Sequence, residues 1–179
     1  MISWKSHYIY QIDYQHWATD ALFASLDKLS DDARKRDEGL PSKSIHASCN
    51  HMLAFNLLWW GRLKGESPSL RLDAELHAEW RELKAAIRQT LRQTQHWMET
   101  QNEEFFVSEI KYLTSTGKEH KGWVHDVLTN LSTHFAHQRG MIAGVITRLG
   151  AAPPNMDFID YRRDMQDSLA HLRSNSNLS

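Results

Sequence analysis

The chain has a single cysteine and few of the residues that interrupt regular structure. Its 179 residues include one Cys, 8 Gly and 4 Pro. One cysteine excludes an intrachain disulfide framework. No apolar run approaches the roughly 18 residues of a membrane-spanning helix, and the first residues do not resemble a signal peptide. We therefore expect a soluble, cytoplasmic protein that has no membrane partner.

An excess of charge of either sign is also lacking. The chain carries 21 Lys and Arg against 22 Asp and Glu, for a net charge of −1. Proteins that bind nucleic acid usually show a basic patch or a basic helix, so DNA binding is disfavoured. The length suffices for one domain with its own core. We predict a single helical domain over residues 1–172 and a disordered tail at 173–179.

Motifs of common enzyme classes are missing as well. The sequence contains no glycine-rich phosphate loop, no G-x-S-x-G and no C-x-x-C. No serine or cysteine stands beside a base in a recognisable motif, so no catalytic residue can be assigned. What the chain does contain is 11 His and 7 Trp. Histidine enrichment hints at metal or acid–base chemistry, although most single histidines are surface residues.

Helical periodicity dominates the chain. Apolar residues recur at steps of three and four in four long segments, which is the pattern of a helix with one buried face. Four such amphipathic segments predict an all-α four-helix bundle. The predicted helices run from Tyr8 to Leu29, Ser44 to Lys64, Asp73 to Thr100 and Val124 to Gly150.

The connections between these helices differ in character. Residues 30–43 are polar and contain Gly39 and Pro41, which predicts a loop. Residues 103–122 are rich in β-branched and aromatic side chains, which predicts a short hairpin or an extended connection between helices three and four. Residues 156–172 predict a short extra helix at the C-terminus.

The last long helix carries a polar residue on its buried face. Gln138 interrupts a stripe that is otherwise apolar, and His134 lies one turn earlier on the edge of the same face. His137 points about 100° away from Gln138, toward the polar flank. Buried polar groups need partners, and a metal ion or a second polar residue would be one. The stripe consists of Val124, Leu128, Leu131, Phe135, Gln138, Ile142, Val145 and Leu149.

The second helix offers one histidine that can face the interior. His51 lies on a ridge with Phe55, Leu58 and Arg62, and a helix in a bundle can bury two neighbouring ridges. His51, His134 and Gln138 therefore form the best internal constellation. Two inward histidines can equally be satisfied by hydrogen bonds, and glutamine is a poor zinc ligand.

The first helix has a histidine on its apolar stripe too. His16 lies between apolar neighbours there, and the simplest interpretation is a histidine at the edge of the core, bonded to a side chain or to water.

Four segments occur in an order and at a spacing that one known family shares. Tyr14-Gln-His-Trp-Ala-Thr is similar to that family's Tyr-Asn-x-Trp-Ala-Asn. Ser44-Ile-His-Ala-Ser-Cys-Asn-His, followed by Asn56, Trp59 and Arg62, is similar to Ser-Ile-x-x-Thr-Leu-Asn-His…Asp…Trp…Arg. His134-Phe-Ala-His-Gln-Arg-Gly-Met resembles His-x-x-x-His-Arg-Gly-Gln, and residues 157–162 resemble the closing Asp…Tyr…Arg segment. On these motifs the chain resembles the DinB/YfiT-like proteins, a group of bacterial metal-dependent helical bundles.

The resemblance implies a divalent metal ion, Zn²⁺ or Ni²⁺, held by three histidines. Carried over by position, the first ligand is His51 and the second is His134, while the third falls on Gln138 where the family has His. Asn56 likewise stands where the family has Asp, and Met141 where it has Gln. His137 could chelate with His134, but it points off the buried face, so Gln138 is the preferred occupant.

Function follows from the resemblance in one of two ways. Some relatives use such a site in thiol-dependent transfer or isomerisation, which implies a metal-dependent transferase with a small-molecule thiol substrate. His16, Asn56 and His137 would then contact substrate or water. Alternatively the site is degenerate, and the protein is a non-enzymatic, stress-associated homodimer. Its tryptophan-rich faces would then serve core packing and the dimer interface: Trp59, Trp60, Trp97 and Trp123.

Overall fold

Four long helices pack side by side in the computed structural model, which describes residues 3–176. Each of the first two long helices packs against both the third and the fourth. The first and the second therefore lie diagonally across the bundle from one another. The predicted all-α four-helix bundle is confirmed. Its long helices are α1 (Trp4–Leu26), α3 (Ile45–Leu63), α4 (Trp80–Thr100) and α5 (Val124–Arg148).

Two further helices complete the fold, and both correct the sequence prediction. The predicted loop at 30–43 contains helix α2 (Asp31–Lys35), because the Ser30 hydroxyl accepts from the backbone N–H of Ala33 and caps it. Helix α6 (Phe158–Ser176) extends past the predicted end at residue 172. Residues 173–176 of the predicted disordered tail are therefore helical, and residues 177–179 lie outside the described residues.

The predicted hairpin between the third and fourth long helices is confirmed. Strands β1 (Glu109–Leu113) and β2 (Glu119–Trp123) pair antiparallel, with Lys111 opposite Lys121. A 3₁₀ helix, Glu103–Val107, precedes them. The hairpin packs beside α3 and leads directly into α5.

The third long helix begins at Trp80, not at the predicted Asp73. Residues 64–79, which we call the strap, instead run across the surface of α3. The Asn50 side chain of α3 accepts from the backbone N–H groups of Leu76 (2.8 Å) and His77 (3.0 Å). Because those N–H groups donate to a side chain, they do not form the backbone hydrogen bonds of a helix.

The bundle encloses an apolar core to which every long helix contributes. Phe23, Met52, Ile87 and Ile142 come one from each long helix, and each is at most 1% exposed. Cys49 is fully buried in the same core, and desolvation raises the pKa of its thiol to about 12. The cysteine is therefore a packing residue and not a nucleophile. Within residues 3–176, none of the helices combines the length and apolar character of a membrane span.

Candidate functional site

Two histidines from adjacent helices meet at the contact between α3 and α5. The Nε2 atoms of His51 and His134 lie 3.1 Å apart, and their ring centroids are separated by 5.0 Å. The ring of Phe55, one turn after His51, stacks on His134 with centroids 3.6 Å apart. Both histidines are half-buried, and their rings meet between the two helices. The phenyl ring covers one face of His134 and limits how far that imidazole can turn.

The strap fixes the orientation of the first imidazole. Nδ1 of His51 lies 2.9 Å from the backbone carbonyl oxygen of Leu72. A carbonyl can only accept, so Nδ1 must carry the proton in this contact. In the neutral ring the lone pair is then on Nε2, which faces His134. A carbonyl that holds one ring nitrogen in this way is the usual orienting partner of a metal-binding histidine.

Burial keeps the second imidazole neutral. Desolvation lowers the pKa of His134 to about 4, and electrostatic repulsion from the His51 and His137 rings acts in the same direction. At neutral pH the ring therefore has one nitrogen with a free lone pair. Two neutral imidazoles with their Nε2 atoms in contact can share one proton, or they can share one cation.

Gln138 supplies a buried oxygen atom in a cleft that His51 also lines. It lies one helical turn after His134, is only 6% exposed, and lines a cleft of about 660 Å³ together with His51 and Leu72. Its Oε1 atom is buried and has no hydrogen-bond donor among the described residues. An unsatisfied buried acceptor costs on the order of 1–3 kcal/mol, so this oxygen calls for a partner such as water or a cation.

The three remaining candidates do not join this site. His137 is exposed on the flank of α5. Asn56 is buried but faces a separate internal cavity of about 30 Å³ that Gln15 also lines. His16 lies at the contact between α1 and α4, where Gln95 is its neighbour. The structure therefore brings His51 and His134 into contact, places Gln138 in a cleft that His51 also lines, and places His16 on the other side of the bundle.

His16 makes the stability of the fold depend on pH. Desolvation lowers its pKa, outweighing the nearby Asp13 and Asp20 carboxylates that raise it. The unfolded chain binds a proton at this side chain near pH 6.5, whereas the folded chain does so only at lower pH. Stability should therefore fall as the pH drops below about 6.5.

Replacing this histidine should reduce that dependence. His16→Leu is expected to show a smaller loss of unfolding free energy between about pH 7 and pH 5 than the wild type, measured by urea denaturation. The difference between the two proteins at about pH 8, where both states are neutral, reports packing alone. Parallel curves for the two proteins across the whole range would show that His16 does not couple protonation to folding.

Sequence reasoning missed the residues that hold the strap in place. Asn50 is 2% exposed and donates to the carbonyl oxygens of His46 (3.3 Å) and His77 (3.1 Å), in addition to the two bonds that it accepts. Nε2 of His46 lies 2.9 Å from the same carbonyl of His77. These contacts anchor the segment that presents the Leu72 carbonyl to His51. The only signal in the sequence is that Asn50 directly precedes the candidate ligand.

The donor set at the site is incomplete for a metal centre built from the usual ligands. Among residues 3–168, whose side chains the structure describes, no three His, Cys, Asp or Glu side chains come close enough together to hold one ion. Two imidazole nitrogens and the unpartnered amide oxygen of Gln138 are what the site offers. This set suits a transition ion that imidazole binds well, with a weak third ligand.

The fold and the paired histidines together define a helical bundle with a polar site between two of its helices. The sequence model of the DinB family matches residues 6–169, and the chain belongs to this family. No curated protein matches the sequence.

Proposed function

We propose that this protein binds a divalent transition-metal ion between α3 and α5. The ligands are Nε2 of His51, Nε2 of His134 and Oε1 of Gln138. The observation that carries the proposal is the 3.1 Å separation of the two Nε2 atoms, together with the carbonyl that aims His51. Two nitrogens bound tetrahedrally at about 2.05 Å from Zn²⁺ lie roughly 3.3 Å apart, so an ion requires only a small opening of the pair.

The chemistry of the three donors favours Zn²⁺ or Ni²⁺ over harder cations. Imidazole suits zinc, copper and nickel, whereas an amide oxygen is a weaker ligand. The buried, unpartnered Oε1 of Gln138 would gain a partner on binding. We expect weaker binding than at a site with three histidines, because one imidazole is replaced by an amide.

We further propose that the site supports thiol-dependent transfer. A bound divalent ion lowers the pKa of a thiol or a water that it contacts, which generates a nucleophile near neutral pH. The residues of this chain hold the ion and shape its surroundings. His51 and His134 bind it, the Leu72 carbonyl fixes the ring of His51, and Phe55 shields one face of His134 from solvent. A small-molecule thiol would enter from the adjoining clefts.

A second candidate is supported by the same distance. A separation of 3.1 Å also fits a direct hydrogen bond, in which Nε2–H of His134 donates to Nε2 of His51. In that case the pocket no longer binds a metal and the protein is a non-enzymatic binding protein. Homodimer formation, the association with stress and the cytoplasmic location stay predictions from the sequence.

Thermal unfolding in the presence of metal separates the two candidates. A ligand that binds only the folded state stabilises it, by about 2.7 kcal/mol at 100 times its Kd. We expect Ni²⁺ or Zn²⁺ to raise the Tm of the untagged wild type and to leave the Tm of His51→Ala unchanged. His96→Ala removes a histidine that is 83% exposed and should respond like the wild type. Equal responses of wild type and His51→Ala would favour the second candidate.

A further inference from the structure

A cleft along α3 contains a buried arginine and residues that contact the histidine pair. Arg62 lies on the same face of α3 as His51, three helical turns away, or about 16 Å along the axis. Phe55, Leu58 and Arg62 line a cleft of about 820 Å³, which the strap and the hairpin close on the other sides. Phe55 also stacks on His134, and Leu72, which holds His51, lines the same cleft. The cleft is therefore lined by two residues that contact the histidine pair, Phe55 and Leu72.

The side chain of Arg62 is buried between two aromatic rings. It is 7% exposed, and its guanidinium carbon lies 4.5 Å from the ring centroid of Trp59 and 4.8 Å from that of Tyr112. One Nη2–H donates to the carbonyl oxygen of Leu113 at 2.9 Å. The Nε–H is buried without a partner, and no carboxylate of the described residues lies within 4.0 Å of the group.

A buried cation without a counter-ion is unusual. Buried charges in proteins are normally paired, since the desolvation of a lone ion costs several kcal/mol. The faces of Trp59 and Tyr112 offset part of this cost through cation–π attraction, on the order of 1 kcal/mol each, but they carry no net charge. Another buried arginine on the bundle shows the usual solution. Arg34 is 8% exposed and lies 3.4 Å from the carboxylate of Asp31.

The rest of the cleft adds no free negative charge near Arg62. Asp73 lines it, but its carboxylate is held by Arg71 of the strap at 2.6 and 2.9 Å. Arg139 is also buried without a carboxylate, yet it donates to Oε1 of Gln15 at 2.6 Å, and the pocket that it lines contains Asp157. The cleft at Arg62 is therefore the better candidate for an anion.

The geometry points to a binding site for a small organic carboxylate in this cleft, with the carboxylate at Arg62 and an apolar body along Leu58 and Phe55. A carboxylate matches the planar N–H groups of a guanidinium better than any neutral group does. The carboxylate site itself does not depend on a metal. A preference among substrates rests, in addition, on the proposed function. In that case the carboxylate site would select thiol substrates that carry an acidic group remote from the sulfur.

The test compares a carboxylate with its neutral amide on metal-free protein. We would titrate the EDTA-treated full chain with 4-phenylbutyrate and with 4-phenylbutyramide, and follow the indole N–H resonance of Trp59 by NMR. The expected result is saturable binding of the carboxylate that shifts this resonance, with a Kd at least tenfold lower than that of the amide. Equal affinities, or a Trp59 signal that does not move, would overturn the proposal.

Two variants locate the charge that binds. Arg62→Met should lose at least tenfold in affinity for the carboxylate, while Arg88→Met, which removes an arginine paired with Asp20 on another face, should not. If Arg62→Met lowers the Tm strongly, Arg62→Lys is used in its place. The measurement is then the ratio of the Kd for the carboxylate to the Kd for the amide. A ratio in the lysine variant equal to that of the wild type would show that the guanidinium has no specific role. Because the protein is metal-free throughout, this result is independent of whether His51 and His134 bind an ion.

Discussion

Gln138→His is expected to raise the affinity for Ni²⁺ or Zn²⁺ by about 100-fold, or about 2.7 kcal/mol. The substitution replaces an amide oxygen with an imidazole four residues after His134, on the buried face that already lines the cleft with His51. Three imidazoles with an open fourth position form a tetrahedral site of the kind that binds zinc tightly. Competition with a chromophoric chelator would measure the change in Kd.

A matched substitution elsewhere controls for the added histidine. Gln93→His places a histidine on an exposed position of α4, and it should leave the affinity for the ion unchanged. A Gln138→His protein that folds normally but binds the metal no more tightly than the wild type would show that position 138 does not face the ion. The histidine pair would then have to be explained without a third ligand from α5.

Asn50→Ala is expected to destabilise the protein by about 2–4 kcal/mol, because a buried side chain with four hydrogen bonds is removed. The backbone N–H groups of Leu76 and His77 lose their partner, and the strap loses its main attachment to α3. Urea denaturation of the wild type and the variant would measure the difference in unfolding free energy. Asn130→Ala, at an exposed position on α5, should change stability by no more than about 0.5 kcal/mol.

The same variant has a second consequence at the histidine pair. The strap carries the Leu72 carbonyl that orients His51, and loss of such an orienting partner typically costs 10- to 100-fold in metal affinity. We therefore expect Asn50→Ala to bind Ni²⁺ at least tenfold more weakly at a temperature where it is still folded. A variant with lower stability but unchanged metal affinity would show that the strap supports the fold without positioning the ligand.

The main features of α5 could be predicted from the sequence because one physical rule determines them. A helix buries the residues that recur at steps of three and four, so the inward position of Gln138 follows from its apolar neighbours. The same rule placed His134 at the edge of the face and His137 on the flank, and the structure agrees. His51 could be predicted to face inward because a helix in a bundle buries two ridges.

Other parts of the site could not be predicted, since they depend on how distant segments meet. Residues 73–79 of the strap were predicted to be the first part of a helix, because local pattern does not reveal that Asn50 binds the backbone N–H groups of Leu76 and His77. The orienting group on His51 is a backbone carbonyl, and every residue has one. His16 lies far from His51 because α1 and α3 are diagonal in the bundle, and periodicity does not give the order of helices around a core.

The burial of Arg62 is another feature that could not be predicted from the sequence. Its position on the ridge with His51 is visible in the sequence, but its burial between Trp59 and Tyr112 requires the hairpin to fold back onto α3. The lack of a carboxylate partner among the described residues is a property of the assembled cleft and of no single segment.

The number of metal ions bound per chain decides whether the histidine pair is a metal site. Untagged wild type and His51→Ala would be dialysed to equilibrium against Ni²⁺, and the metal in the protein and buffer compartments measured by elemental analysis. If His51 and His134 bind the ion, each wild-type chain holds one excess nickel ion and His51→Ala holds none. A wild-type protein that holds no more nickel than the buffer around it would rule out the metal site and leave the two imidazoles joined by a direct hydrogen bond.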